Sequence, residues 1–177
     1  MHAGTHLDAP SHFLEDGGDV SSIALDITVG AANCLSVVPH EGILRTADLS
    51  AAYATLKEKH PRLLLSLGWD RKWNTSEYFT DFPGFEPDLG DFLKRNGIRL
   101  LGIDAPSVKY GLGDHRSAHR DLLGNGIVLV EGLVGLDRLP DTFFFLALPL
   151  KWRGADGSWV RAAAGIEETE NPVGKSI

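Results

Sequence analysis

The chain has 177 residues, 43% hydrophobic and 23% charged, which is ordinary globular usage and excludes a disordered chain or a fibrous repeat. Seventeen basic against twenty-four acidic residues give a formal net charge of −7, the wrong sign for tracking phosphates, so no nucleic-acid partner is expected. The longest apolar run, Phe143 to Leu150, is too short to cross a bilayer, and the single cysteine, Cys34, permits neither an internal disulfide nor a thiolate zinc site.

The length reads as one domain over residues 1–166, followed by a solvated tail at 167–177. No secretory apolar region opens the chain, since Met1 is followed by small and polar residues and by Pro10, and a cytoplasmic location is the expectation. Cys34 to Val38 predicts a short strand, and Thr46 to Lys59 predicts a helix with Leu49, Tyr53 and Leu56 on one side and Thr46 or Asp48 as N-cap. Arg62 to Leu67 reads as a buried strand, and Gly68 to Pro83 as a loop rich in aromatic residues. Pro87 opens a helix that Gly97 closes. Further strands are expected at 98–103, 127–131, 142–148 and 159–163. This alternation predicts an α/β chain, a mixed sheet with flanking helices. No G-x-G-x-x-G follows a strand, and no P-loop or G-x-S-x-G elbow is present, so dinucleotide binding, phosphoryl transfer and α/β-hydrolase chemistry lose support.

With thiolates excluded, any metal must be held by imidazole and carboxylate, and three of the seven histidines crowd the N-terminus. His2, His6, Asp8 and His12 stand in an H-x3-H-x-D-x3-H spacing, a ligand set suited to a first-row transition ion. If residues 6 to 8 are extended, His6 and Asp8 point to the same face. A tag remnant or nickel-binding tail is the alternative, but Asp8-Ala9-Pro10 at fixed offsets is not tag-like. More donors are available downstream. His115 and His119 share a face if their segment is helical, and Glu131 closes an apolar strand where a carboxylate is costly unless a cation meets it or it turns into solvent. Asp104 ends a strand and could either orient a ligand histidine or cap the next turn, while His40 and His60 read as surface residues.

The segment His2 to Phe13 resembles the H-x-G-T-H-x-D-x-P-x-H-F signature of the metal-dependent cyclase family, which includes bacterial kynurenine formamidases and isatin hydrolases. Further similar blocks follow in order: Gly68-Trp69 through Pro83-Gly84, Gly102 to Ser107, His115 to Leu133, and Leu146 to Lys151. The resemblance implies a swivelling β/β/α fold assembled as a homodimer or higher homo-oligomer. It implies that His2, His6 and Asp8 hold a first metal, that Asp8 bridges to a second, that His119 is the second metal's histidine, that Glu131 touches both ions, and that His12 is the general acid or base. Relatives carry some tens of residues ahead of the motif, whereas here it starts at the second residue, so a fragment, a late start or a shortened variant is expected.

The chemistry expected on these grounds is hydrolysis of the C–N amide bond of a small aryl substrate, in the manner of N-formylkynurenine cleavage to kynurenine and formate. One or two zinc or manganese ions would make a metal-bound hydroxide at neutral pH and polarise the carbonyl, with His12 shuttling the proton. Trp69, Trp73, Tyr78 and Phe79 could line an aryl pocket or simply pack the loop. Two rival expectations are opening of isatin or a lactone ring, and a truncated non-catalytic metal-binding scaffold.

Overall fold

The computed structural model describes residues 1–166; the expected tail at 167–177 lies outside the described residues. In chain order the elements are β1 (His6–Asp8), α1 (Leu25–Thr28), β2 (Val29–Ser36), β3 (Ile43–Leu44), α2 (Thr46–Ala54), β4 (Arg62–Ser66), α3 (Glu77–Thr80) and β5 (Gly84–Phe85). They continue with α4 (Leu89–Arg95), β6 (Leu100–Ile103), α5 (His115–Gly124), β7 (Val128–Glu131), β8 (Thr142–Pro149) and β9 (Gly157–Gly165). Among the described residues no helix is long and apolar enough to cross a membrane.

The expected mixed sheet is present, and it closes on itself as a barrel in the order β1-β7-β6-β4-β2-β8-β9. β2, β4, β6 and β7 run parallel, whereas β8, β9 and β1 are joined by antiparallel pairings, with β1 paired to β7 on one side and β9 on the other. Period-two alternation divides the strands between two cores. Leu64, Leu100, Val128, Val130, Phe143, Phe145 and Leu7 fill the barrel. Leu63, Leu65, Leu101, Ile103 and Leu129 face outward, where α2, α4 and α5 cover them with Leu49, Tyr53, Phe92, Leu93 and Leu122. Burial on both faces explains why β4, β6 and β7 read as continuous apolar runs.

This alternation also places the functional groups. Leu7 points into the barrel, so its neighbours His6 and Asp8 point out of it; Glu131 shares the parity of Leu129 and faces the helical layer. α5 presents Ala118, His119, Leu122 and Leu123 as its buried stripe, and Asp114 caps it by accepting from the Ser117 N–H at 3.0 Å. His119 is therefore carried to the wall where β1 and β7 meet.

Several expected boundaries move. The strand expected at 34–38 runs from Val29 to Ser36, because Gly30, Ala31 and Ala32 carry little strand signal of their own and are paired with Phe145, Phe144 and Phe143 across β8. Gly30 has φ +135°, and the Arg62 guanidinium lies against it, donating to the carbonyls of Ile27 and Ala31 at 2.9 Å. The helix expected over 46–59 stops at Ala54, although Leu56 is still buried beyond it. Neither Thr46 nor Asp48 is the N-cap: Arg45 holds that position, and the Thr46 N–H is met from outside by Glu86 Oε2 at 2.8 Å. The aromatic loop contains the short helix α3 and a 3-10 turn at Trp69–Lys72.

Candidate metal centre

Six predicted residues meet where β1, β7, β9 and α5 converge, near the carboxyl ends of the parallel strands. The His6 Nε2 lies 3.4 Å from Asp8 Oδ1 and 3.4 Å from Glu131 Oε2. The His119 Nε2 lies 3.5 Å from Asp8 Oδ2 and 3.5 Å from Glu131 Oε1. Each carboxylate thus gives one oxygen to each imidazole, which makes two adjacent bays. His2 joins the first bay with Nδ1 2.8 Å from Asp8 Oδ1, and its ring stacks on His12 at 3.8 Å between centroids. His6, Asp8, His119 and Glu131 are each no more than 3% exposed.

The hydrogen bonds around the imidazoles show what the bays are built for. His6 Nδ1 is 2.9 Å from the Gly4 carbonyl, and His119 Nδ1 is 2.7 Å from the His115 carbonyl. A carbonyl only accepts, so both Nδ1 atoms carry the proton and both Nε2 atoms present lone pairs to carboxylate oxygens, which are also acceptors. Acceptor faces acceptor in a buried space, an arrangement that needs a cation. Among the described residues, His6 Nε2, His2 Nε2 and Asp8 Oδ2 are buried and have no hydrogen-bond partner. The N···O separations of His6 and His119 also exceed those of charge-assisted hydrogen bonds and lie near the roughly 3.3–3.4 Å edge of a tetrahedron of ligands at about 2.0–2.1 Å, whereas His2 Nδ1 is within ordinary hydrogen-bond distance of Asp8. These residues fit a divalent ion by donor chemistry and by spacing. His6, Asp8 and Glu131 form one possible ligand group, and His2, Asp8 and His12 form another.

When no ion is bound, the same carboxylates draw a proton to the site instead: burial pulls His119 toward neutrality, but Asp8 and Glu131 outweigh it and raise its pKa to about 10, so the bays attract positive charge in either form. Burial opposes the charge on Asp8, yet His119 and His2 hold it well below the usual carboxylate range. Burial lowers His12 from its ordinary value, leaving it a neutral base near pH 7.

One participant has no sequence motif to announce it. Asp156, just ahead of β9, has Oδ2 3.1 Å from His12 Nδ1 and Oδ1 3.2 Å from His2 Nε2. Its Asp-Gly context reads as an ordinary turn, and it stands 144 residues from His12. Only the pairing of β9 with β1 brings them together.

Other candidates go elsewhere. Asp104 orients no histidine; it accepts from the backbone N–H groups of Leu67 and Trp69 at 3.0–3.2 Å, which is the turn-capping alternative, and burial raises its pKa to about 6. His40 is exposed, as expected, but His60 is half-buried at the far end of the barrel with Nε2 lacking a partner. Trp69 packs against the helical core and donates from Nε1 to the Tyr78 carbonyl at 3.0 Å, and Trp73 stacks edge-on against Tyr78 outside the cavity. Tyr78 and Phe79 do line a cavity of about 220 Å3 beside the centre, together with Phe82, Ser107, His115 and His2.

Fold and site define a closed mixed barrel flanked by helices, with an imidazole and carboxylate centre able to hold divalent metal at its wall. The sequence profile described as putative cyclase matches residues 1–110, and the chain belongs to that family of enzymes. It is 38% identical over 168 residues to a kynurenine formamidase of Geobacillus thermodenitrificans, covering 92% of this chain and 75% of that protein. A kynurenine formamidase of Bacillus cereus is 37% identical over 163 residues, with the same coverage. Among solved structures, isatin hydrolase A of Labrenzia aggregata bound to benzyl benzoate superposes with a TM-score of 0.80 at 26% identity, over 92% of this chain and 72% of that one. A potential metal-dependent hydrolase with cyclase activity superposes with a TM-score of 0.78 at 26% identity, over 92% and 78% of the two chains.

Proposed function

We propose that the protein hydrolyses the C–N amide bond of a small aryl substrate, with N-formylkynurenine, cleaved to kynurenine and formate, as the reference case. The observation that carries this reading is the pair of buried bays in which imidazole and carboxylate acceptors face one another. His2, His6, Asp8 and Glu131 would hold a divalent ion, zinc or manganese, in one bay, and His119, Asp8 and Glu131 a second in the other. When bound, such an ion supplies a Lewis acid for the carbonyl and brings the pKa of water toward neutrality.

The chain's own residues then manage position and proton. His12 is the general acid and base: Asp156 engages its Nδ1, which leaves Nε2 to take a proton from the attacking water and return it to the departing nitrogen. Stacking on His2 and edge contact with Phe13 at 4.5 Å between centroids fix its plane. Tyr78, Phe79 and Phe82 offer ring faces to an aryl group in the adjoining cavity. The outward faces of β8 and β9 leave Phe144, Leu148 and Trp159 exposed, which supports an assembly of two or more copies.

Replacing His12 with Ala tests the assignment. Hydrolysis of an aryl formamide should fall by about 10²- to 10⁴-fold while the bound metal is unchanged. Loss of metal would make His12 a ligand beside His2 and Asp8, and an active variant would remove it from the chemistry. The likeness to isatin hydrolase A favours a second reading, opening of a cyclic amide, which parallel assays on isatin and formanilide would separate.

A further inference from the structure

We propose that Phe13 is a positioning residue that keeps His12 a base rather than a metal ligand. This rests on the hydrolase reading above and adds to it the side chain that divides the two tasks. Donor chemistry alone leaves His12 open to either one. It stands with His2 and Asp8 in a group whose ligating atoms all lie within 4.8 Å of one another, so a short movement would let the three share an ion.

The tethers of the histidines differ. His6 and His119 have Nδ1 held by backbone carbonyls at 2.9 and 2.7 Å, which aims Nε2 at the carboxylates. His12 Nδ1 is held by Asp156 at 3.1 Å, a side chain 47% exposed and free to change rotamer with it. The remaining restraint on His12 is packing. One neighbour is His2, stacked at 3.8 Å and 11°, but His2 is itself a donor of the first bay and must answer to the ion. The other is Phe13, edge-on at 4.5 Å and 78°, which has no donor to offer and stays where it is whether or not an ion binds.

Phe13 is anchored on several sides. Its N–H donates to the Pro10 carbonyl at 3.3 Å, its carbonyl accepts from Arg120 Nε at 3.4 Å, and its ring packs on the helical core. That ring also stacks on His119 at 4.5 Å and 27°, and His119 is fixed in turn by the His115 carbonyl. His12 and His119 are thereby held almost perpendicular, at 83° with 5.7 Å between centroids. Among the described residues no ring outside the donor set meets both imidazoles. Phe13 touches neither the ion nor the reacting atoms, so its effect is exerted through His12.

The test reloads the stripped full chain with cobalt(II), whose visible absorption reports the number and kind of its ligands. Phe13→Leu keeps apolar bulk on the helical core and removes the flat ring. Its cobalt spectrum should differ from that of wild type, whereas His12→Ala alone should leave the spectrum unchanged. Adding His12→Ala to Phe13→Leu should restore the wild-type spectrum, because the extra ligand is gone. In zinc-loaded Phe13→Leu, kcat for an aryl formamide should fall at least about tenfold with KM within about threefold. A Phe13→Leu spectrum identical to wild type, or a change that persists in the double variant, would overturn the proposal. Phe13→Met is read in the same way should Phe13→Leu not fold. If no amide is cleaved, the hydrolase reading fails separately and the cobalt spectra still decide the role of Phe13; wild type that takes up no cobalt overturns both.

Discussion

The two ends of the barrel make opposite use of histidine. At the amino ends of the parallel strands, a cavity of about 960 Å3 is lined by Glu58, His60, Asp137, Arg138 and Phe144. It is the roomier space, yet its charges look into solvent: Glu58 is 75% exposed at the side chain and approaches His60 no closer than 3.7 Å. At the other end, next to a cavity of about 220 Å3, Asp8 and Glu131 are almost wholly buried and aim at two imidazoles whose protons are already committed to backbone carbonyls. The contrast teaches that volume does not make a reactive site. Convergent buried donors that only a cation can reconcile do.

Three substitutions probe this contrast. The largest effect is expected from Asp156→Asn, which keeps the shape but removes the charge holding His12 Nδ1; kcat for an aryl formamide should drop about 10- to 100-fold with metal content intact. Unchanged kcat would mean that His12 needs no orienting partner. Asp104→Asn should act on stability instead. Because burial raises the folded pKa of Asp104 to about 6, above its ordinary value near 3.8, its contribution is fully present below about pH 3.8 and is lost as pH rises through about 6. Unfolding by denaturant should therefore show a stability difference between variant and wild type that shifts by about 1–3 kcal/mol from pH 4 to pH 7.5, with wild type losing ground as pH rises. A difference independent of pH would remove Asp104 from the account. The smallest effect belongs to the far end: His60→Ala should leave kcat/KM within about twofold, and a large loss there would erase the distinction between the two ends.

Much of the metal centre is legible in the sequence because the segment His2 to His12 around β1 carries four donors within eleven residues, because Glu131 ends an apolar run, and because His119 stands four residues from His115. Asp156 is not legible, since its role depends on β9 pairing with a three-residue strand too short to leave a periodic signal. Barrel closure escapes for the same reason: the joints between β1, β7 and β9 are long-range, and local propensity is silent about them. Small residues conceal the start of β2, where the strand signal is supplied by the phenylalanines across the ladder in β8. The aromatic residues of the 68–83 loop announce a cavity only collectively: Trp69 packs against the core, and Trp73 is exposed with its edge on Tyr78, so neither lines it.

The central claim is that Asp8 and Glu131 are brought together to share divalent metal with His6 and His119. Its most direct test is metal analysis of protein stripped with chelator and reloaded with zinc or manganese, followed by thermal unfolding of each form. Reloaded wild type should bind divalent ion in near-stoichiometric amount and unfold several degrees above the stripped form, whereas Asp8→Asn should gain neither metal nor stability. Wild-type protein that takes up no ion on reloading, and unfolds at the same temperature with or without it, would contradict the account.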